Sequence, residues 1–217
     1  MAMASTTRSP GRPRDEKLHA RRRGEILDTA ARVFARDGYQ TAEVQWVADQ
    51  LKLSKGTIYR YFSSKEELFL AAVDRGIELL NRHLDSVASR QEDVIDQMSA
   101  AIGAYLEFFQ NSPWLVDLLI QERAAFRDRR QSTYFQRRAQ RVGRWHSAIR
   151  QLISAGRFRD VPPERVTEVL GDLVYGTMFT NHMSGRVRPR DAQTADIVDV
   201  VFNGLLSEQE RRRRGWR

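Results

Sequence analysis

Between Leu53 and Leu68 the chain reads LSKGTIYRYFSSKEEL, and Ser54, Lys55, Gly56, Thr57, Tyr59, Arg60, Tyr61 and Lys65 crowd cations, hydroxyls and phenols into that one stretch. Wound as a helix at roughly 100° per residue, it places Ile58 and Phe62 on a packing face and Gly56 and Arg60 opposite them. Lys55 and Tyr59 fall on one flank, Thr57 and Tyr61 on the other. The outward chemistry suits a nucleic acid. Hydroxyls and phenols satisfy phosphate oxygens, while Lys and Arg reach N7 and O6 of guanine in the major groove. A glycine inside a solvated helix costs about 1 kcal/mol relative to alanine, and it makes sense where a foreign surface must approach the backbone. A solvated helix with idle charges is the plainer reading, and both the glycine and the cluster's composition argue against it.

Other chemistries find little support. There is no cysteine, and the four histidines (His19, His83, His146 and His182) are scattered without metal-site spacing. No nucleophile elbow, glycine-rich phosphate loop or Walker pattern occurs. No catalytic residue, metal or cofactor is therefore assigned, and the chain does not read as an enzyme. Apolar runs fall well short of the roughly 20 residues a membrane span needs. The basic N-terminus leads into no apolar segment of signal type, so a cytoplasmic protein without a membrane partner is expected.

The 217 residues carry a net charge of +8, unevenly placed. Residues 1–65 hold 13 Lys and Arg against 7 Asp and Glu, and residues 211–217 add five arginines and no acid, which leaves the body between them acidic. A basic end on an acidic body points to a polyanion-binding module joined to something else.

The elements that position these residues all read as helices. Residues 1–20 are rich in Ser, Thr, Pro, Gly and Arg and are expected to form a disordered basic arm. Ile26, Ala30, Val33 and Phe34 begin helical periodicity, which Gly38 stops. Val44, Val47, Ala48 and Leu51 make a second, shorter stripe. A third helix starts near Ser54 and a fourth near Ser64, where Ser63…Glu66 and Ser64…Glu67 form overlapping capping boxes. Further helices are predicted from Val94 to the Asn-Ser-Pro at 111–113, from Pro113, over about 130–154, from Pro162 and Pro163, and over about 191–209. The fold class is all-α.

The second helix, a short turn and the third helix form a helix-turn-helix pattern. The segment Arg22 to Val73, with its elements ILDTAARVFARDGY and VADQLKLSKGTIYRYFSSKEEL, resembles the DNA-binding domain of the TetR family of transcriptional regulators over about a quarter of the chain. The resemblance implies a three-helix DNA-binding domain over residues 21–66, a larger helical ligand-binding and dimerisation domain over 67–210, and a basic tail at 211–217. It places Lys55, Gly56, Thr57, Tyr59, Arg60 and Tyr61, with Ser54, on the DNA side of the recognition helix. Lys65 falls on a phosphate position and Gln45 on a contact position of the second helix. Three residues depart from the family pattern. Glu43 stands where a capping Thr is usual, so Thr41 is the alternative cap, with a longer helix. Lys52 stands where Gly is usual, which implies a left-handed residue at a cost near 1 kcal/mol. Trp46 replaces a polar residue and is either a donor to the DNA backbone or, the favoured reading, a cover for neighbouring helices. Arg12 and Arg14, in a Gly-Arg-Pro-Arg segment, suit either a minor-groove arm or a solubilising tail.

In the body, aromatic residues exceed what one packed face needs. With the family's ligand domain in mind, Tyr105, Phe109, Trp114, Phe126, Tyr134, Trp145, Phe179 and His182 are the candidate lining of a pocket for a largely apolar inducer. Val166, Leu170 and Leu173 on one helix, with Val198, Val201, Phe202 and Leu205 on the last, are the candidate homodimer seam, with Gly171 and Gly176 permitting close approach. The leading expectation is a homodimeric repressor on a palindromic operator in double-stranded DNA, released by a small molecule. The alternatives are a ligand-independent regulator or an activator switched by a partner protein, and an all-helical enzyme with an incidental basic face.

Overall fold

A computed structural model describes residues 13–186, 188–204 and 213. Among them nine helices and no strand occur, and the chain separates into two compact units, Met1–Ala72 and Val73–Arg217.

The first unit holds α1 (Pro13–Asp37), α2 (Val44–Gln50), α3 (Lys55–Tyr61) and the opening turns of α4 (Lys65–Ala88). The stripe of Ile26, Ala30, Val33 and Phe34 is fully buried, and Gly38 ends α1 at φ +79 with its N–H on the Phe34 carbonyl. Phe34 meets Phe69 edge-on at 5.2 Å between ring centres, and Val47, Ala48, Ile58, Phe62 and Leu68 complete the core. The left-handed turn expected before α3 is present. Lys52 has φ 55, the one positive value outside glycine among the described residues. Ser54 then caps α3, its hydroxyl accepting from the Thr57 N–H at 3.1 Å.

Four local expectations change. First, α1 begins at Pro13 rather than Arg21, so residues 13–20 are helical where a disordered arm was expected. Proline is favoured in the first turn of a helix, and His19 stacks on Tyr61 of α3, a contact that composition alone does not reveal. Second, Thr41 does not lengthen α2. Glu43 is its N-cap and makes no side-chain cap bond. Third, the capping box at α4 is shifted. Ser64 accepts from the Glu67 N–H at 3.0 Å, but the Glu67 carboxylate returns to the N–H and hydroxyl of Ser63 at 2.6 Å each. Fourth, Trp46 covers its neighbours only in part, with 36% of its surface exposed.

The second unit holds the rest of α4, then α5 (Val94–Asn111), α6 (Pro113–Ala125), α7 (Thr133–Ser154), α8 (Pro163–Ser184) and α9 (Arg190–Asn203). Asp93 caps α5 through the Ile95 N–H, and Pro113 opens α6 directly behind Ser112. Helix α5 buries Met98, Ile102, Ala104, Tyr105, Leu106 and Phe109, and α6 buries Leu115, Val116, Leu118 and Leu119. Gly76 is what lets α6 lie close to α4, since a Cβ there would stand 2.6 Å from Leu115 and 3.0 Å from the Trp114 ring.

The strain at Lys52 is removable. Lys52→Gly is expected to raise stability by about 0.5–1 kcal/mol, left-handed relief being partly offset by glycine's chain entropy. Urea denaturation of the full chain measures it, and an unchanged or lowered midpoint would show that other contacts hold the lysine in place.

Candidate DNA interface and ligand cavity

Helix α3 presents one face to its unit and one away from it. Ile58 and Phe62 are buried, while Lys55, Gly56, Tyr59 and Arg60 are exposed. Among the described residues, Lys55, Tyr59 and Arg60 have no side-chain hydrogen bond or ion pair. Ser54 and Thr57 instead satisfy each other, hydroxyl to hydroxyl at 2.9 Å, in addition to the cap. A Cβ on Gly56 would meet only the Ser54 hydroxyl, at 3.8 Å. Nothing inside the unit therefore requires a glycine, and its helix penalty has no internal compensation.

The remaining DNA candidates divide. Tyr61 is half-buried and stacks on His19 of α1, with ring centres 4.5 Å apart and planes at 25°. Lys65 donates to the Gln40 carbonyl at 3.0 Å and lies over the Tyr39 ring at 5.0 Å, which commits one of its three donors to the fold. Burial lowers its pKa, against the opposing pull of Glu43. Gln45 donates to Asp49 at 2.7 Å on the same helix. Arg12 and the side chain of Arg14 lie outside the described residues.

In the second unit, α4, α5, α7 and α8 enclose a cavity of about 190 Å³. Ile77, Leu80, Leu84, Met98, Ile102 and Val174 supply apolar wall. Its buried side holds Tyr105 and Tyr134, whose hydroxyls meet at 3.0 Å. Burial raises the pKa of both phenols, so they remain protonated. The exposed side is arginine. Asp85 accepts from Arg141 at 2.6 Å and from Arg144 at 2.9 Å, and Arg144 lies over the Trp145 ring at 5.4 Å. Burial pushes the Asp85 pKa up, but the hydrogen bonds from both arginines outweigh it and hold the group below its ordinary value. Arg138 crosses α8 at Gly171 to bond Asp172 at 2.8 Å and the carbonyls of Thr167 and Glu168. A Cβ on Gly171 would strike that guanidinium, so this glycine seats a side chain of its own chain rather than a second subunit.

Of the pocket candidates, Tyr105, Tyr134 and Trp145 line this cavity. Phe109 and His182 line a separate one of about 210 Å³, where His182 bonds Asp117 at 2.9 Å. Trp114 packs on Gly76 instead, Phe179 stands edge-on to Tyr175 at 4.9 Å, and Phe126 is the C-cap of α6. Neither cavity includes these three. Arg138, Arg141, Arg144 and Asp85 were not anticipated. The spacing of the arginines from Tyr134, at 4, 7 and 10 residues on one helix face, was the available signal.

The residues of the expected dimer seam divide. Val166, Leu170 and Phe202 pack inward on Met98, Ile149 and Leu152. Leu173 is exposed, Val198 and Val201 are half-buried, and Leu205 lies outside the described residues. The outward apolar stripe of α8 is instead Val169, Leu173, Gly176 and Met183, with Val169 and Met183 63% and 65% exposed and no atom within 4 Å of a Cβ at Gly176. Val200 is its exposed counterpart on α9.

The sequence matches the model of bacterial regulatory proteins of the tetR family over residues 26–72, and that of the tetracyclin repressor-like C-terminal domain over residues 91–205. The transcriptional repressor KstR2 of Mycobacterium tuberculosis is 30% identical over 198 residues, spanning 86% of this chain and 94% of that protein. The transcriptional activator FasR of Mycolicibacterium smegmatis is 34% identical over 99 residues, 46% of this chain and 43% of its own length. The chain thus matches less than half of FasR. The regulator FadR of Bacillus subtilis, solved in complex with stearoyl-CoA, shares the fold with a TM-score of 0.70 at 16% identity, over 84% of this chain and 98% of that one. A helix-turn-helix unit and an all-helical second unit, each matched by its family model, make this chain a member of the TetR family of bacterial regulatory proteins.

Proposed function

We propose that the chain is a homodimeric transcriptional repressor that binds a palindromic operator through α3 and leaves it when a small molecule enters the cavity among α4, α5, α7 and α8. The observation that carries this reading is the cavity itself, apolar with a few convergent polar groups, in a chain whose other unit carries a helix-turn-helix. The repressor KstR2 and the stearoyl-CoA complex of FadR support it by likeness. Helix α4 opens in the DNA unit with Lys65, and its later turns line the cavity with Ile77 and Leu80, so the same helix has residues in both units. The ligand must favour the released state. A coupling of about 1–3 kcal/mol would weaken DNA binding roughly 5- to 150-fold. Residues 13–72 are the proposed DNA-binding part and the second unit the ligand and dimer part. A second reading, an activator, is favoured by FasR. A reporter behind the bound promoter, with and without the gene for this chain, separates the two by the sign of the change.

On the DNA side, Lys55 is assigned a base edge, with Tyr59, Arg60 and the free donors of Lys65 on phosphates. Lys55→Ala should cost about 1–3 kcal/mol and relax preference at one base pair. Gly56→Ala offers a sharper contrast. It should stabilise the fold by up to about 1 kcal/mol, since the new methyl meets open space, yet weaken operator binding by crowding the groove. Melting and gel-shift measurements on the same preparation check both halves, and unimpaired binding would remove α3 from close contact with DNA.

The dimer is assigned to the outward stripe of α8. Leu173→Glu combined with Val169→Glu places charge on that stripe without touching the protomer's own core. Sedimentation should show monomers and operator affinity should collapse, because two half-sites are then no longer bound together. A variant that stays dimeric would move the interface elsewhere.

A further inference from the structure

The polar groups of the α4–α5–α7–α8 cavity have a direction, and it specifies a kind of ligand. We infer that the cavity takes an apolar anion with a second oxygen acceptor at the end remote from its charge. The anionic group lies at the arginine side and the acceptor at the Tyr105–Tyr134 pair. This rests on the reading of the cavity as the ligand site and adds the chemistry of its occupant.

A count of hydrogens supports the buried end. Tyr105 and Tyr134 have two hydroxyl hydrogens and one mutual bond, so one hydrogen is spent between them and the other is not. Among the described residues no further acceptor is bonded to either hydroxyl. Both phenols are more than nine-tenths buried and both line the cavity. Burial raises the pKa of each, so the spare hydrogen stays in place as a donor. A buried donor without an acceptor is costly, and a carbonyl or ester oxygen in the cavity would relieve it.

A count of charges supports the open end. Arg138, Arg141 and Arg144 line the cavity, and among the described residues the carboxylates bonded to them are Asp172 and Asp85. Asp85 serves two of the three, which leaves one positive charge over. Arg141 and Arg144 are 39% and 59% exposed, so an anion can reach them while keeping part of its hydration. The space of about 190 Å³ exceeds the roughly 150 Å³ that accepts benzene, and its arginine side is exposed, so a slender apolar chain can lie in it with its charged end reaching into water.

Three linear probes separate the two ends on the full chain by calorimetry: monomethyl sebacate with carboxylate and ester carbonyl, decanoate with the charge alone, and methyl decanoate with an ester and no charge. Monomethyl sebacate should bind about tenfold tighter than decanoate or methyl decanoate. Tyr105→Phe combined with Tyr134→Phe removes both hydroxyls without leaving either orphaned, and should abolish the gap between monomethyl sebacate and decanoate. Arg144→Gln leaves Asp85 with Arg141, and should weaken both carboxylates alike while leaving methyl decanoate unchanged. Unchanged operator binding without ligand serves as the folding control. Equal binding of monomethyl sebacate and decanoate by the unaltered chain overturns the inference while the cavity keeps its role. So does a gap that survives in the phenylalanine pair. If no probe binds although the operator is held normally, the ligand-responsive reading falls with it.

Discussion

Glu122 sits in the last turn of α6 with about 1% of its surface exposed, and where α7 begins follows from how that carboxylate is satisfied. One oxygen takes the Thr133 N–H at 2.9 Å, the Thr133 hydroxyl at 2.7 Å and the Arg129 guanidinium, while the other accepts no hydrogen bond among the described residues. A buried carboxylate is tolerated only with such donors around it. The donors here are the first residue of α7 and the turn before it, so the acid on α6 sets where α7 begins. Tyr134 is the next residue, and Arg138, Arg141, Arg144 and Trp145 follow on the same helix. The field of Glu122 reaches further. Burial, Tyr134 and Glu122 together push the Tyr175 hydroxyl up to about 12, and Tyr175 packs on Tyr134 at 4.7 Å.

Helical glycines mark the other fixed points, each through what occupies the space of its missing side chain. At Gly76 it is Trp114 and Leu115, at Gly171 the Arg138 guanidinium, and at Gly56 and Gly176 no atom closer than 3.8 Å. The first two are accounted for inside the second unit. The other two are not, and they lie on the faces proposed for DNA and a second subunit; Gly143 of α7 is equally open and belongs to neither face.

Much of this was legible in the sequence where the signal was local. A helix starting near Ser54 and Pro113 as a helix start depend on backbone chemistry within a few residues, the family resemblance supplied Lys52 as a left-handed residue, and each is found in the structure. Contacts between distant segments were harder. Val166, Leu170 and Phe202 form apolar stripes fit for an interface, but the same stripes fit the protomer's own core, and Met98, Ile149 and Leu152 claim them. Trp114 looked like free ring surface because periodicity cannot show that Gly76 stands opposite. The polar half of the cavity was missed for a related reason. Arginines on α7 resemble a solvated face until Asp85, more than fifty residues earlier, is found beside them.

The seat of Arg138 on Gly171 has a consequence for how such a chain diversifies. The nearest atoms to a methyl at residue 171 belong to the tip of a flexible side chain, not to backbone or packed core. A small residue there would turn the guanidinium aside and leave the helices where they are. The charge presented to a visiting molecule can thus drift through a substitution that itself carries no charge. Duplicated copies of the gene could part in chemical taste before they part in shape.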